Sequence, residues 1–124
     1  DIDRTKVLLA RNVMYNPNAL VSIKDGPMLA VRVMRENAIS SVFVVDNDRR
    51  LHGIVTIDDA IKAIEEKKQL KDILRHDYDT TGPDTSIQDL IPVAAAARFP
   101  IAVLDDNNRL LGIIVRVSVL SSLI

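Results

Sequence analysis

The 124-residue chain has the size and composition of one ordinary folded domain, with 48% apolar and 27% charged residues. Its 16 lysines and arginines nearly cancel its 17 aspartates and glutamates, so no overall field would attract nucleic acid or an anionic membrane surface. A chain without cysteine has no disulfides or thiolate metal sites, and its longest apolar run, residues 110–115, is far shorter than the roughly 20 residues of a membrane span.

The first half of the chain shows the periodicity of five successive segments. They are a helix at 6–14, a strand at 19–23, a helix at 27–37, a hairpin at 42–45 and 51–55, and a helix at 57–64. The first helix stops at Asn16 and Pro17, and Pro27 suits the first position of the next helix because proline presets the backbone angle there. The charged stretch 65–71 predicts an exposed helix end and a linker.

The second half repeats the order of segments that follows the leading helix of the first half. They are a strand at 78–81, a helix that opens at Thr85, a hairpin at 101–104 and 110–115, and a helix at 117–123. Thr85 and Gln88 have the spacing of a capping box, in which two side chains satisfy backbone groups at the helix start. Pro92 removes one backbone hydrogen bond and is predicted to kink this helix near Leu90 and Ile91.

An internal repeat explains this agreement, since residues 41–64 recur 59 positions later as residues 100–123. The matched pairs include Val44 and Val103, Asp46 and Asp105, and Gly53 and Gly112. Half-domains of about 60 residues are marginal alone. The repeat therefore predicts two halves, residues 1–68 with the leading helix and residues 69–124, related by an internal pseudo-twofold axis and sharing one core.

The strongest candidate for a binding site is the sequence Gly-Ile-Val-Thr-Ile-Asp-Asp at residues 53–59, where a strand runs directly into a helix. A helix start offers unpaired amides to an anion, Thr56 offers a hydroxyl, and Asp59 can accept from a diol such as a ribose. Gly53 would relieve crowding where the strand meets the helix. An alternative stays open, because Thr56 as N-cap and Asp59 in the first turn also have a purely structural explanation.

The second repeat lacks this combination, since its equivalent positions are Gly112, Val115 and Ser118. The two candidate sites are therefore not equivalent. Other chemistry is poorly supported: His52 and His76 have no carboxylate cluster at ligand spacing, and neither Walker pattern nor a Gly-x-Ser-x-Gly nucleophile is present.

The doubled strand, hairpin and helix with the sequence GIVTIDD resembles a tandem pair of cystathionine β-synthase (CBS) domains, a Bateman module, over nearly the whole chain. Residues 1–14 and much of the second half resemble more narrowly the C-terminal part of the ATP-binding subunit of glycine betaine/proline ABC importers. The resemblance implies an α/β fold of two β-α-β-β-α units, with short sheets and helices packed on one face. Because the chain begins with Asp1 and not Met, we expect it to be a piece of a longer protein.

The same resemblance implies a non-catalytic regulatory module of such an importer, cytoplasmic and peripheral to the membrane, that gates transport in response to ionic strength or a nucleotide. Its partners would be a second copy of itself, the parent ATPase domain and, through that domain, a membrane permease. The family's ligand motif, Gly-x-x-Thr-x-x-Asp, falls on Gly53, Thr56 and Asp59, and the implied ligands are AMP, ATP or cyclic di-AMP, with no required cofactor. Two alternatives stay open: an adenosine-nucleotide receptor domain of another parent protein, and a passive dimerisation scaffold.

Overall fold

The computed structural model describes residues 7–124 as a mixed α/β structure with two three-stranded sheets. In chain order the elements are α1 (Ala10–Val13), β1 (Val21–Ser22), α2 (Pro27–Glu36), β2 (Ser41–Val45), β3 (Leu51–Thr56), α3 (Ile57–Glu66), a 3-10 helix (Leu70–Asp72), β4 (Thr80–Thr81), α4 (Ile87–Ala96), β5 (Ile101–Leu104), β6 (Leu110–Ile114) and α5 (Arg116–Ser121). The order β-α-β-β-α occurs twice, which confirms the predicted fold class.

The chain forms two compact units whose composition differs from the two sequence repeats. The first unit is Pro17–Asp77, and the second unit joins Tyr78–Ile124 to the described part of the stretch that ends at Asn16. The leading segment of the chain, grouped with the first repeat on sequence grounds, therefore packs in the second unit. The 3-10 helix, which follows the first repeat, packs in the first unit.

Each unit contains one sheet with the same topology. The short outer strand pairs parallel to the first hairpin strand, and the two hairpin strands pair antiparallel, as the turn lengths predict. Val44 lies opposite Gly53 in the first sheet, and Val103 lies opposite Gly112 in the second. The register shifts at the next position in both hairpins. The repeat is therefore preserved residue by residue in the hairpins.

The aspartate that begins each hairpin turn explains why this position recurs in the repeat. Asp46 Oδ1 accepts hydrogen bonds from the backbone amides of Asp48 (2.9 Å) and Arg50 (3.0 Å). Asp105 Oδ1 does the same in the second hairpin, at 2.8 and 2.9 Å. These contacts hold the turn closed around one residue with a positive φ of 65° or 64°, Arg49 in the first turn and its counterpart Asn108 in the second.

Each unit buries its own apolar cluster, and the core shared between the two halves stays a prediction. The cluster of the first unit includes Met34, Val44 and Val55, and Leu70 from the 3-10 helix completes it with no exposed surface. The cluster of the second unit includes Ile101 and Val119. It is completed by the fully buried Ala10 of α1. Each half thus covers its apolar face with the segment that precedes the other repeat.

Several element boundaries differ from the sequence predictions, and two of these differences involve the leading segment of the chain. The predicted leading helix is shortened to Ala10–Val13, because Met14 is extended and Tyr15 pairs with Ile113 of β6; its first predicted residue, Lys6, lies outside the described residues. The capping box predicted at Thr85 is wrong. Its neighbour Ser86 is the N-cap of α4 and accepts a hydrogen bond from the amide of Asp89 at 3.3 Å.

The leading segment accounts for that shift of the α4 start. The carbonyl of Thr85 accepts from the amide of Ala10 at 2.8 Å, and Leu9 and Ser86 form an antiparallel bridge. This pairing involves Ser86, which has the extended backbone of an N-cap (φ −69°, ψ 147°), so the helix starts one residue later than predicted. Pro92 lies inside α4, as predicted, while the predicted kink stays a prediction.

Candidate functional site

The three residues of the sequence motif lie together where β3 passes into α3 in the first unit. Gly53 lies in β3, Thr56 ends that strand and is the N-cap of α3, and Asp59 is the third residue of the helix. Thr56 adopts the extended backbone of an N-cap (φ −92°, ψ 156°), so the strand turns into the helix without an intervening loop. The structure therefore brings the predicted motif residues to one junction.

Thr56 caps the helix with its side chain. Its Oγ1 accepts a hydrogen bond from the amide of Asp59 at 3.2 Å, and the residue is 7% exposed. A cap of this kind is worth about 1 kcal/mol. The structural role that the sequence left open for Thr56 is therefore present, whereas a ligand contact of Thr56 stays a prediction.

Asp59 is held by an arginine from the segment that follows α3. Arg75 Nε donates to Asp59 Oδ2 at 2.7 Å, and the two side chains are 38% and 29% exposed. The hydrogen bond from Arg75 is the main cause of a lowered pKa of Asp59, against a smaller opposing effect of desolvation. The carboxylate assigned to a diol on sequence grounds is therefore engaged by the chain itself.

Gly53 lies beneath the same segment, which we call the linker (residues 67–77). Ile54 and Arg75 exchange two backbone hydrogen bonds, at 2.9 and 2.8 Å. A Cβ at position 53 would lie 3.0 Å from the carbonyl oxygen of Arg75 and 3.1 Å from Cβ of Leu74. The crowding that requires glycine thus comes from the linker, and not from the strand-to-helix junction as the sequence suggested.

A charged groove continues from Asp59 along α3. Its volume is about 220 Å³, and its lining residues are Asp59, Lys62, Ala63, Glu66, Lys68, Asp72 and Ile73. Glu66 pairs with Lys62 at 3.8 Å on the same helix and with Lys68 of the linker at 3.0 Å. The hydrogen bond from Lys68 is the main cause of a lowered pKa of Glu66. Ion pairs thus join the linker to α3 at two places, Asp59 and Glu66.

The junction between β6 and α5 in the second unit has the same backbone and different chemistry. Val115 is the N-cap of α5 with φ −106° and ψ 161°, and makes no side-chain cap bond. Ser118 occupies the position of Asp59. The segment over the strand glycine is again present, since a Cβ at Gly112 would meet Met14 at 3.0 Å and the carbonyl oxygen of Tyr15 at 3.1 Å. The framework is therefore duplicated, whereas the hydroxyl and the carboxylate are not.

Arg75 is the site residue that the sequence did not reveal. It lies 16 positions beyond Asp59 and outside the repeat, and its structural counterpart in the second unit, the bridge partner of Ile113, is Tyr15. His52 also has a carboxylate partner that was not predicted, since its Nε2 lies 3.0 Å from Asp46 Oδ2 at the far end of the hairpin. Across residues 7–124 the structure contains no group of three or more potential metal ligands.

None of the helices within residues 7–124 combines the length and apolar character that a membrane span needs. Comparison with protein families gives a direct match: the CBS domain family profile matches residues 10–66 and 70–124.

Two curated relatives align with almost the entire chain. The glycine betaine/carnitine transport ATP-binding protein GbuA of Listeria monocytogenes is 43% identical over 99% of this chain, and the glycine betaine transport ATP-binding protein OpuAA of Bacillus subtilis is 36% identical over 99%. The chain spans only 31% and 29% of the lengths of these two relatives.

Solved structures show the same fold. Staphylococcus aureus OpuCA has a TM-score of 0.81 and 29% identity, with 90% of this chain and 95% of that chain covered. CBSX2 of Arabidopsis thaliana in complex with AMP has a TM-score of 0.77 at 19% identity, covering 93% of this chain and 95% of that chain. Solved relatives of this fold thus include a complex with an adenine nucleotide.

Proposed function

The chain belongs to the CBS domain family as a tandem pair, and we propose that it is the non-catalytic regulatory module of the ATPase subunit of an ABC importer for glycine betaine or a similar compatible solute. The observation that carries this proposal is the alignment of GbuA and OpuAA with 99% of the chain each. Both are named as transport ATP-binding proteins and both extend far beyond the aligned region. The ATPase activity would belong to that additional part.

The module would act by a difference in stability between two of its arrangements. A coupling free energy of about 1–3 kcal/mol changes an activity-linked equilibrium roughly 5- to 150-fold. Ionic strength is a suitable signal because the ion pairs of Glu66 with Lys62 and Lys68 are exposed, and attraction between exposed charges falls as the Debye length shortens from about 10 Å at 0.1 M salt. These pairs support the proposal that the first unit responds to salt.

The partners follow from this assignment. The module would lie at the cytoplasmic face of the membrane, attached to an ATPase domain that binds a permease, and would pair with a second copy of itself. Exposed apolar side chains on α2 and α3 support such pairing: Met28 is 73% exposed, Ile61 46% and Ile64 37%. A groove of about 370 Å³ lies between Met28 and Ile64.

The test is solute uptake by the reconstituted importer as a function of internal ionic strength. Deletion of the module is expected to remove the salt dependence of uptake while ATP hydrolysis persists. Glu66→Gln, which removes the negative charge paired with Lys62 and Lys68, is expected to shift the salt midpoint. The neighbouring Glu65→Gln gives the same charge change and serves as the control. Unchanged salt dependence after deletion would instead support a passive dimerisation scaffold.

A second candidate function is supported by the convergence of Gly53, Thr56 and Asp59 at the start of α3. In this alternative the module is a receptor for an adenosine nucleotide such as AMP, ATP or cyclic di-AMP. Asp59 would accept from the ribose hydroxyls, and the amides of the helix start would face the phosphate.

Calorimetric titration distinguishes the two functions. Binding of AMP, ATP or cyclic di-AMP that is lost in Asp59→Ala, with the thermal midpoint unchanged within a few degrees, would support the receptor. The absence of binding heat at millimolar concentrations of all three nucleotides would rule out the receptor function. A lower midpoint with unchanged binding would limit Asp59 to its role at the helix start.

A further inference from the structure

We propose that Arg75 is an internal occupant of the first unit's ligand site, so that a ribose ligand must displace its guanidinium from Asp59 and binds more tightly as ionic strength rises. This inference rests on the receptor function proposed above and concerns the regulation of that site. It assigns to Arg75 a role that the motif of Gly53, Thr56 and Asp59 does not include.

The geometry places the guanidinium on one of the two carboxylate oxygens that would accept from a diol. Arg75 Nε donates to Asp59 Oδ2 at 2.7 Å, a short distance for a charge-assisted hydrogen bond. A carboxylate that binds a ribose accepts from hydroxyl groups at the same range of distance. Arginine and ligand would therefore compete for one acceptor.

The backbone of the linker fixes Arg75 in this place while leaving its side chain able to move. Two hydrogen bonds to Ile54 and the close packing over Gly53 hold the Arg75 backbone, and the fully buried Leu70 anchors the linker upstream. The side chain itself is 38% exposed. Displacement then requires only a rotamer change of one arginine, and not the release of the linker.

Exposure also makes the contact sensitive to salt. Ion pairs between partly exposed groups are weakened by mobile ions, and their contribution is small enough for a ligand to overcome. In part of the population Arg75 is bound to Asp59. The apparent dissociation constant of the ligand is then the intrinsic constant divided by the fraction of molecules in which Asp59 is free of Arg75. Salt raises that fraction, so the site couples ionic strength to ligand affinity.

The second unit provides an internal contrast. Its segment over Gly112 presents Met14 and Tyr15, and Ser118 replaces the carboxylate. The competition between an arginine and a ligand for a carboxylate is therefore proposed only for the unit that carries the ligand motif.

The experiment measures binding of adenosine to the full 124-residue chain at low and high sodium chloride. Adenosine has the ribose diol and no charge, so salt does not act on the ligand itself. The variants are Arg75→Gln, which keeps the backbone hydrogen bonds to Ile54, and Lys71→Gln, which makes the same charge change on the same linker. The pKa of the Asp59 carboxyl, followed by NMR, verifies that Arg75→Gln releases the carboxylate, since that pKa should rise towards its ordinary value.

For the native chain we expect adenosine affinity to rise about two- to fivefold with salt. Arg75→Gln should bind more tightly at low salt by a similar factor and lose the salt dependence, whereas Lys71→Gln should behave as the native chain. Equal or weaker binding by Arg75→Gln would overturn this inference and leave the receptor function intact. Absence of adenosine binding by every variant would overturn the receptor function and this inference with it.

Discussion

The two units differ at the junction between the last strand and the α-helix that follows it. In the first unit β3 passes into α3 through Thr56, whose hydroxyl caps the helix, and Asp59 follows in the first turn. In the second unit β6 passes into α5 through Val115, which makes no side-chain cap bond, and Ser118 follows. The backbone angles at the two N-caps differ by less than 20°, and both strand glycines lie beneath an extended segment. The comparison shows that the fold requires the glycine and the segment above it. It does not require the hydroxyl or the carboxylate, which are therefore the residues to examine for function.

The largest expected effect concerns the glycine that both junctions share. In Gly53→Ala the new methyl would meet the backbone oxygen of Arg75 at 3.0 Å, and we expect a loss of about 1–3 kcal/mol in the free energy of unfolding. In Gly112→Ala the new methyl would also meet a backbone oxygen, that of Tyr15 at 3.1 Å, as well as Sδ of Met14 at 3.0 Å, so we expect a loss of similar size.

Urea denaturation measures both losses, with Gly82→Ala as the control because no atom lies within 4 Å of its added methyl. We expect the control to change stability by less than about 0.5 kcal/mol. A loss at Gly82 equal to that at Gly53 would show that the linker contact is not the cause.

An intermediate effect should come from exchanging the caps. Thr56→Val removes the acceptor for the amide of Asp59 and is expected to cost about 1 kcal/mol. Val115→Thr places a hydroxyl on an N-cap of similar backbone geometry, where it can accept from the amide of Ser118, and is expected to gain up to about 1 kcal/mol. Thermal unfolding measures the two shifts, which should have opposite signs. Destabilisation by both changes would mean that the two junctions are not equivalent frameworks.

The smallest effect is on the acid limb of the stability profile. Because the folded pKa of Asp59 is lowered below its ordinary value of 3.8, its contact with Arg75 stabilises the fold above that pH, and this contribution is lost as the pH falls through the lowered pKa. Asp59→Asn should therefore make the loss of stability below about pH 4 less steep, with a displacement of the acid midpoint of roughly a few tenths of a pH unit.

The matched change is Asp58→Asn, which removes a carboxylate from the same helix start without removing the acceptor of Arg75. Urea titrations between pH 2.5 and 7 would detect the difference. If both variants reduce the loss of stability at low pH equally, the cause is the interaction of a carboxylate with the helix dipole, and not the contact with Arg75.

The sequence predicted most of the framework because the relevant signals are local. The hairpins follow from two β-branched runs around a turn, and the recurring Asp46 and Asp105 are explained by bonds to amides two and four residues away. The start of α3 likewise depends on Thr56 and its near neighbours.

The remaining features depend on contacts that no local pattern contains. The start of α4 moved from Thr85 to Ser86 because a segment more than 70 residues earlier pairs with it. Arg75 reaches Asp59 because the linker returns over β3, and its structural counterpart in the second unit, Tyr15, is not a basic residue. A repeat alignment finds shared residues; it does not reveal which preceding segment packs on which unit.

The central claim is that ligand chemistry resides at the start of α3 and not at the start of α5, and titration of the labelled chain with AMP by two-dimensional amide NMR tests it most directly. We predict that at millimolar AMP the shifted amides cluster between Gly53 and Ala60 and are lost in Asp59→Ala, while the amides between Gly112 and Val119 stay unchanged. Shifts centred on Gly112 to Val119, or no shifts at millimolar AMP, would contradict the assignment of ligand chemistry to the start of α3.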